Sequence, residues 1–194
     1  TNNTIKNIIV QGQAPLTTFV GIFSGSGVSV ATSGVAEAQQ NNNIYTNNSF
    51  LRSQYGLIIA GAGGGQTGNV VNNNNIGSNT ASDYIGFIGM YYSNSTGLIV
   101  NNNSVFNIIT STGNPMGINI AAGVVNSVFN ANNITGIRYT GTGGFGGKGF
   151  NINTGTVSSN LIISNNFISD IRGDGWSSFT SDAIVGIRIG ATGG

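Results

Sequence analysis

Residues 70–79 read Val-Val-Asn-Asn-Asn-Asn-Ile-Gly-Ser-Asn, four consecutive asparagines set between two valines and an isoleucine. Asparagine is a poor residue for the interior of a strand or helix, because its short amide competes for nearby backbone groups, and it favours turns. Apolar residues on both sides press this turn against a core, where its amides need hydrogen-bond partners. Copies of the same turn are the natural partners, and the chain contains them. Asn-Asn-x-Ile/Val occurs at 2–5, 41–44, 73–76, 102–105 and 165–168, with Ala-Asn-Asn-Ile at 131–134. Counted on the second asparagine, or on Asn132 in the relaxed copy, the anchors are Asn3, Asn42, Asn74, Asn103, Asn132 and Asn166.

A second marker, glycine followed by alternating apolar residues, starts at Gly21, Gly56, Gly86, Gly117, Gly149 and Gly186 and interleaves with the first. Two markers in phase define a repeat of roughly thirty residues, present six times. Each unit carries period-two strands and turn residues, with no helical apolar period longer than a turn. In Gly117-Ile-Asn-Ile120, Ile118 and Ile120 point to one face and Asn119 to the other. Aligned copies place Leu57/Ile59, Phe150/Ile152 and Ile187/Ile189 inward, with Phe87 and Gly89 in the third unit; Ile58, Ile88, Asn119, Asn151 and Arg188 point outward. A unit of a few short strands cannot bury its own apolar face, so units must stack, each strand pairing in parallel with its copy one coil on. The predicted fold is all-β, a parallel β-helix (solenoid) of about six coils, in which the six anchor asparagines form a side-chain ladder.

Composition narrows the function. The 194 residues suit one domain, here a single array over 1–194. Six Lys and Arg against five Asp and Glu leave a net charge of +1, which gives no electrostatic footprint for nucleic acid or an anionic membrane. The chain has no Cys and no His, removing disulfides, thiol chemistry and histidine-based acid–base catalysis. No stretch approaches the roughly 20 apolar residues of a spanning helix. Thr1 follows no leader, and residues 186–194 stop just past an apparent strand, so both ends read as cut from a longer chain. Further coils or self-stacking are expected there, because an uncovered coil leaves strand edges unpaired.

The turns and Gly-Ile-x-Ile strands resemble right-handed parallel β-helix repeats. Residues 2–12, 52–61 and 165–178 are similar to large secreted or cell-surface proteins of Bacteroidetes-type bacteria, adhesin-like substrates of type IX secretion. That resemblance implies export through a secretion machinery and an extracellular or surface location. A more distant resemblance to pectate lyases and polygalacturonases implies calcium-binding carboxylates, paired aspartates and a histidine motif, and the histidine is missing here.

Candidate site residues gather near the C-terminal end. Asp170-Ile-Arg-Gly-Asp174-Gly-Trp176 is the one local cluster of charge, with Asp182 following; the other carboxylates are Glu37 and Asp83. Asp170 and Asp174 are a weak calcium pair, though their spacing matches no standard calcium loop. Arg138 and Arg172 occupy equivalent slots in neighbouring coils, a basic strip for a sugar carboxylate or sulfate, or a strip simply neutralised by Asp170 and Asp174. Tyr91, Tyr92, Tyr139, Phe145, Trp176 and Phe179 are placed in or beside turns, as sugar-stacking platforms or loop caps. The glycan-binding candidates are therefore Arg138, Tyr139, Arg172, Asp174 and Trp176. Glycine runs at 63–68 and 141–146 fit a dinucleotide pattern without opening a helix, and Gly147-Lys148 fails as a phosphate loop because Thr142 stands where its first glycine belongs. No cofactor is implied.

The expected function is a structural and adhesive stalk segment of an exported bacterial surface protein, with weak carbohydrate binding and no catalytic residue. The alternatives are a polysaccharide lyase or glycoside hydrolase working at Asp170, Arg172, Asp174 and Asp182, and a self-assembling fibre or surface-binding module.

Overall fold

Three columns of short parallel strands carry the chain, one strand per coil in each. The computed structural model describes residues 1–32, 38–63, 65–156, 158–176 and 182–190. The first sheet stacks Thr4–Lys6, Ile44–Thr46, Val70–Asn72, Ile99–Asn101, Val128–Asn130 and Ile162–Ser164. The second stacks Ile9–Gln11, Ser49–Leu51, Asn75–Ile76, Ser104–Thr110, Asn133–Tyr139 and Phe167–Gly173. The third stacks Val20–Ser24, Tyr55–Ala60, Ile88–Ser93, Met116–Ile120, Lys148–Ile152 and Val185–Ile189. Among the described residues there is no helix, and the fold is the all-β parallel solenoid that the repeat predicts.

Each sheet turns apolar side chains inward in register columns. Tyr45, Val71, Val100 and Phe129 come from the first, Phe50, Ile76, Val105 and Ile134 from the second, and Leu57, Met90, Ile118 and Phe150 from the third, all in one buried cluster. Each such side chain contributes about 1.5 to 3 kcal/mol by leaving water. The last coil lacks a neighbour on one side, so Ile187 and Ile189, in the inward columns of Phe150 and Ile152, are 46% and 80% exposed. Ile9 and Phe167, by contrast, are exposed because they stand in the outward row of Ser49, Asn75, Ser104 and Asn133.

The turn from first to second sheet answers why asparagines come in pairs. Its first residue, at Asn7, Asn47, Asn73, Asn102, Ala131 and Asn165, has φ between 54° and 57°, the left-handed region that asparagine tolerates best after glycine. Its second residue is the ladder. Asn48, Asn74, Asn103 and Asn132 each donate through both backbone N and Nδ2 to Oδ1 of the next asparagine, ending at Asn166. The Nδ2–Oδ1 distances are 3.0, 2.9, 3.0 and 2.9 Å. Each Nδ2 also donates to a carbonyl one coil back, as Asn103 does to Val71 at 2.9 Å. A mid-ladder amide thus has two donors and two acceptor contacts filled, which is why it is stable when buried.

Two anchors fall outside this ladder. Asn3 and Asn42 lie at the opposite end of the first-sheet strand, where the same doublet also makes a left-handed turn: Asn2 and Asn42 have φ of 60° and 55°. There Asn3 donates to Asn43 Oδ1 and Asn43 to Asn69 Oδ1, and the row ends because Leu98 follows Asn69 in register. In the long ladder the second-coil member is Asn48, and the first-coil place is Ile8, whose N–H donates to Asn48 Oδ1 at 3.2 Å. A motif that serves two corners cannot reveal from its wording which corner a given copy occupies.

The third sheet corrects a register. Gly89, not Gly86, aligns with Gly56 and Gly117, because Ile88 pairs with Tyr55 and Met116 and Met90 with Leu57 and Ile118. Met90 and Tyr92 are inward in place of Phe87 and Gly89, and Tyr91 replaces Ile88 in the outward row with Ile58, Asn119, Asn151 and Arg188. Tyr91 and Tyr92 are strand residues, not turn residues. Gly86 has a different constraint: a Cβ there would meet the Pro15 carbonyl oxygen at 2.4 Å. Nor is the outward row open to solvent. Ile58 is fully buried in a second apolar cluster with Tyr55, Ala60 and Ile88, and the Tyr91 hydroxyl donates to the Thr32 carbonyl, so the segment after Val20–Ser24 crosses this face.

Candidate functional site

Stacking brings Arg138 and Arg172 together, as register partners on adjacent second-sheet strands. The strand holding Arg172 includes Asp170 in a left-handed turn, φ 54°, in the register position of Gly136 and Asn107. Like charges one rung apart repel, and here each is answered by a carboxylate. Arg138 Nη2 lies 2.6 Å from Asp174 Oδ2 and its Nε 3.1 Å from the same oxygen, while Arg172 Nε donates to Asp170 Oδ1. Asp174 accordingly holds the Arg138 guanidinium more firmly in its charged form. All four side chains are well exposed, so the strip is an alternating surface array and each pair is worth little to stability.

This arrangement bears on every candidate role. An acidic sugar would have to displace Asp174 from Arg138, and a calcium ion would have to displace arginine from both Asp170 and Asp174. Among the described residues no three His, Cys, Asp or Glu side chains gather as a metal site. Tyr139 is not presented to solvent: it is 2% exposed, its ring meets Phe145 edge-on at 5.5 Å, and its hydroxyl accepts the Gly143 N–H at 2.7 Å. Trp176 is half-buried after the turn in which the Asp174 N–H donates to the Tyr139 carbonyl. Phe179 and Glu37 lie outside the described residues. Asp182 is drawn elsewhere, accepting from Asn114 Nδ2 at 2.6 Å.

Two features were not singled out from sequence. One is a cleft of about 280 Å³ beside Phe19, Tyr55 and Phe87, whose rings stand 5.2 and 5.7 Å apart in sequence order; burial pushes the Tyr55 hydroxyl up to about 12. The other is Lys148, 1% exposed. It stands in the register row of Tyr55, Ile88 and Met116, which belongs to the second apolar cluster. Parity gives the only sequence signal: Lys148 precedes Gly149 as Met116 precedes Gly117. No helix among the described residues is long and apolar enough to cross a membrane. Comparison with protein-family models, curated proteins and solved structures found no match to the chain.

Proposed function

We propose that this chain is a rigid spacer segment of an exported bacterial surface protein, a stalk whose exposed Arg138–Asp174 and Arg172–Asp170 strip, with Trp176 beside it, makes weak contacts with carbohydrate. The observation that carries the reading is the asparagine ladder, whose buried amides satisfy one another from coil to coil. Polar groups committed to stiffening a column favour a mechanical role over turnover, which needs ionisable groups converging on a substrate. The inward-column residues Ile187 and Ile189, left exposed on the last strand, suit contact with further coils, from the same chain or another copy. Location outside the cell rests on the resemblance of the repeats to secreted surface proteins.

An antibody against the folded chain, applied to intact cells of the source, tests location and role together. Labelling of unpermeabilised cells, lost after protease shaving, is the expected result; labelling only after lysis would overturn it. Binding on a glycan array should be weak and should fall with Trp176→Ala, whereas turnover of any glycan would replace the spacer reading with an enzymatic one.

A further inference from the structure

Two buried polar atoms on the outer side of the third sheet lack hydrogen-bond partners: Lys148 Nζ and Asn114 Oδ1. Orphaned groups of this kind are costly and uncommon in folded chains, and each asks for an explanation. These two are close in the stack. Lys148 pairs in register with Met116, its backbone N–H donates to the Pro115 carbonyl at 2.9 Å, and Asn114 is two residues before Met116. The proline ring of Pro115 disfavours the helical region at Asn114 and favours extended backbone there. Strand spacings then put the two Cα atoms about 8 Å apart, within the combined reach of both side chains.

The surroundings are those of a reactive amine. Met116 and Ile88 are Lys148's row neighbours, and burial pushes the lysine down to about 8, against the opposing pull of Asp182 and with a further push from Arg188. A desolvated lysine of this kind is a nucleophile in its neutral form. Asp182, arriving from the coil above, accepts from Asn114 Nδ2 at 2.6 Å. Its chain crosses directly over Gly146, where a Cβ would stand 2.8 Å from the Asp182 carbonyl oxygen. A carboxylate therefore sits on the nitrogen that would leave if the Asn114 amide were attacked.

We infer that Lys148 and Asn114 form an intramolecular amide cross-link, with Asp182 carrying the proton. Neutral Lys148 Nζ attacks Asn114 Cγ, and the carbonyl electron pair moves to Oδ1. The Asp182 carboxylate takes a proton from Nζ and delivers it to Nδ2. Collapse of the tetrahedral species breaks the Cγ–Nδ2 bond and releases ammonia, leaving a secondary amide and Asp182 again ionised. No oxidant or added reactant is needed. Holding the groups side by side supplies the effective concentration, and burial keeps water from competing. The bond ties the fourth coil to the fifth, and it stands independently of the spacer reading.

Intact-mass spectrometry of the purified full chain decides the matter. The expected mass is about 17 Da below the sum of the residues, one ammonia lost per bond formed, easily resolved on 19.8 kDa. Trypsin should then yield peptide 53–138 joined to peptide 139–172, with no cleavage after Lys148. Lys148→Arg should have its full calculated mass, as should Asp182→Asn. A parent chain at full mass would overturn the cross-link. So would a 17 Da loss that persists in Lys148→Arg, which would signify a succinimide. Loss of about 18 Da, with Lys148 joined to Asp182, would overturn the assignment of Asn114.

Discussion

At the scale of the residue, the ladder makes the sharpest demands. Asn103→Ala removes the acceptor for two Asn74 donors and the donors to Asn132 Oδ1 and the Val71 carbonyl. Several buried groups lose partners at once, and urea denaturation should show a loss of about 3 to 5 kcal/mol. Asn103→Asp should be no better, since a carboxylate cannot donate to either acceptor, while Asn3→Ala, on the exposed first coil, should cost under about 1 kcal/mol. Ala131 is the single non-asparagine in its left-handed row, at φ 54°. Ala131→Asn should therefore raise stability by about 0.5 to 1 kcal/mol, read as a higher denaturation midpoint. Lys148 gives a pH signature. In Asn114→Ala, which keeps the amine unlinked, the folded lysine releases its proton near pH 8 and the unfolded one near 10.5. Between those values the unfolded chain binds more protons, so stability should be flat below pH 8 and rise by about 1 to 3 kcal/mol from pH 8 to 10. Asp182 and Arg188 face the amine and are accounted for in that window. Above pH 10 the trend reverses, because Tyr45, Tyr55, Tyr91 and Tyr92 keep their protons longer when folded. The cross-linked parent chain should lack the rise.

At the scale of the element, glycine decides how tightly successive third-sheet strands nest. Gly56, Gly89 and Gly117 lie under the next coil's glycine carbonyl, and a Cβ on Gly117 would stand 2.5 Å from Ile134 Cγ2 and 2.8 Å from the Gly149 oxygen. Neither neighbour can yield without moving a strand. Gly117→Ala should cost about 2 to 4 kcal/mol. Gly186, at the same register in the last coil, meets nothing nearer than Ile168 Cγ2 at 4.0 Å, so Gly186→Ala should lie within about 0.5 kcal/mol of the parent. Equal costs in the two variants, measured by the same urea titration, would contradict the stacking explanation.

At the scale of the whole molecule, a solenoid is stabilised by contacts between nearest coils, so protection should follow position in the stack. Amides of Ile88–Ser93, Ser104–Thr110 and Met116–Ile120, with coils on both sides, should exchange most slowly. Those of Ile9–Gln11 and Val185–Ile189, with a neighbour on one side only, should exchange first. Hydrogen exchange followed by mass spectrometry reads this directly, and uniform protection from end to end would indicate a fully cooperative unit instead. With the proposed amide in place, the fourth and fifth coils should open together.

The sequence by itself determined the parallel solenoid, its period near thirty residues and the stacking of asparagine amides, because a repeated pattern of strand and turn has one economical way to bury its apolar face. It also carried the pairing of Arg138 with Arg172, since both follow Ile-x-x-Ile at the same distance from a ladder turn. Only the tertiary structure decided which corner each Asn-Asn doublet occupies, because the left-handed turn is the same at both. Gly86 and Gly89 likewise satisfy the same local pattern, and only pairing with Gly56 and Gly117 selects one. The buried state of Tyr139, the covering of Ile58 and the meeting of Lys148, Asn114 and Asp182 were illegible in the sequence for a related reason. Each depends on loops that leave the repeat and fold back over a sheet, and an irregular loop carries no period from which its landing place can be read.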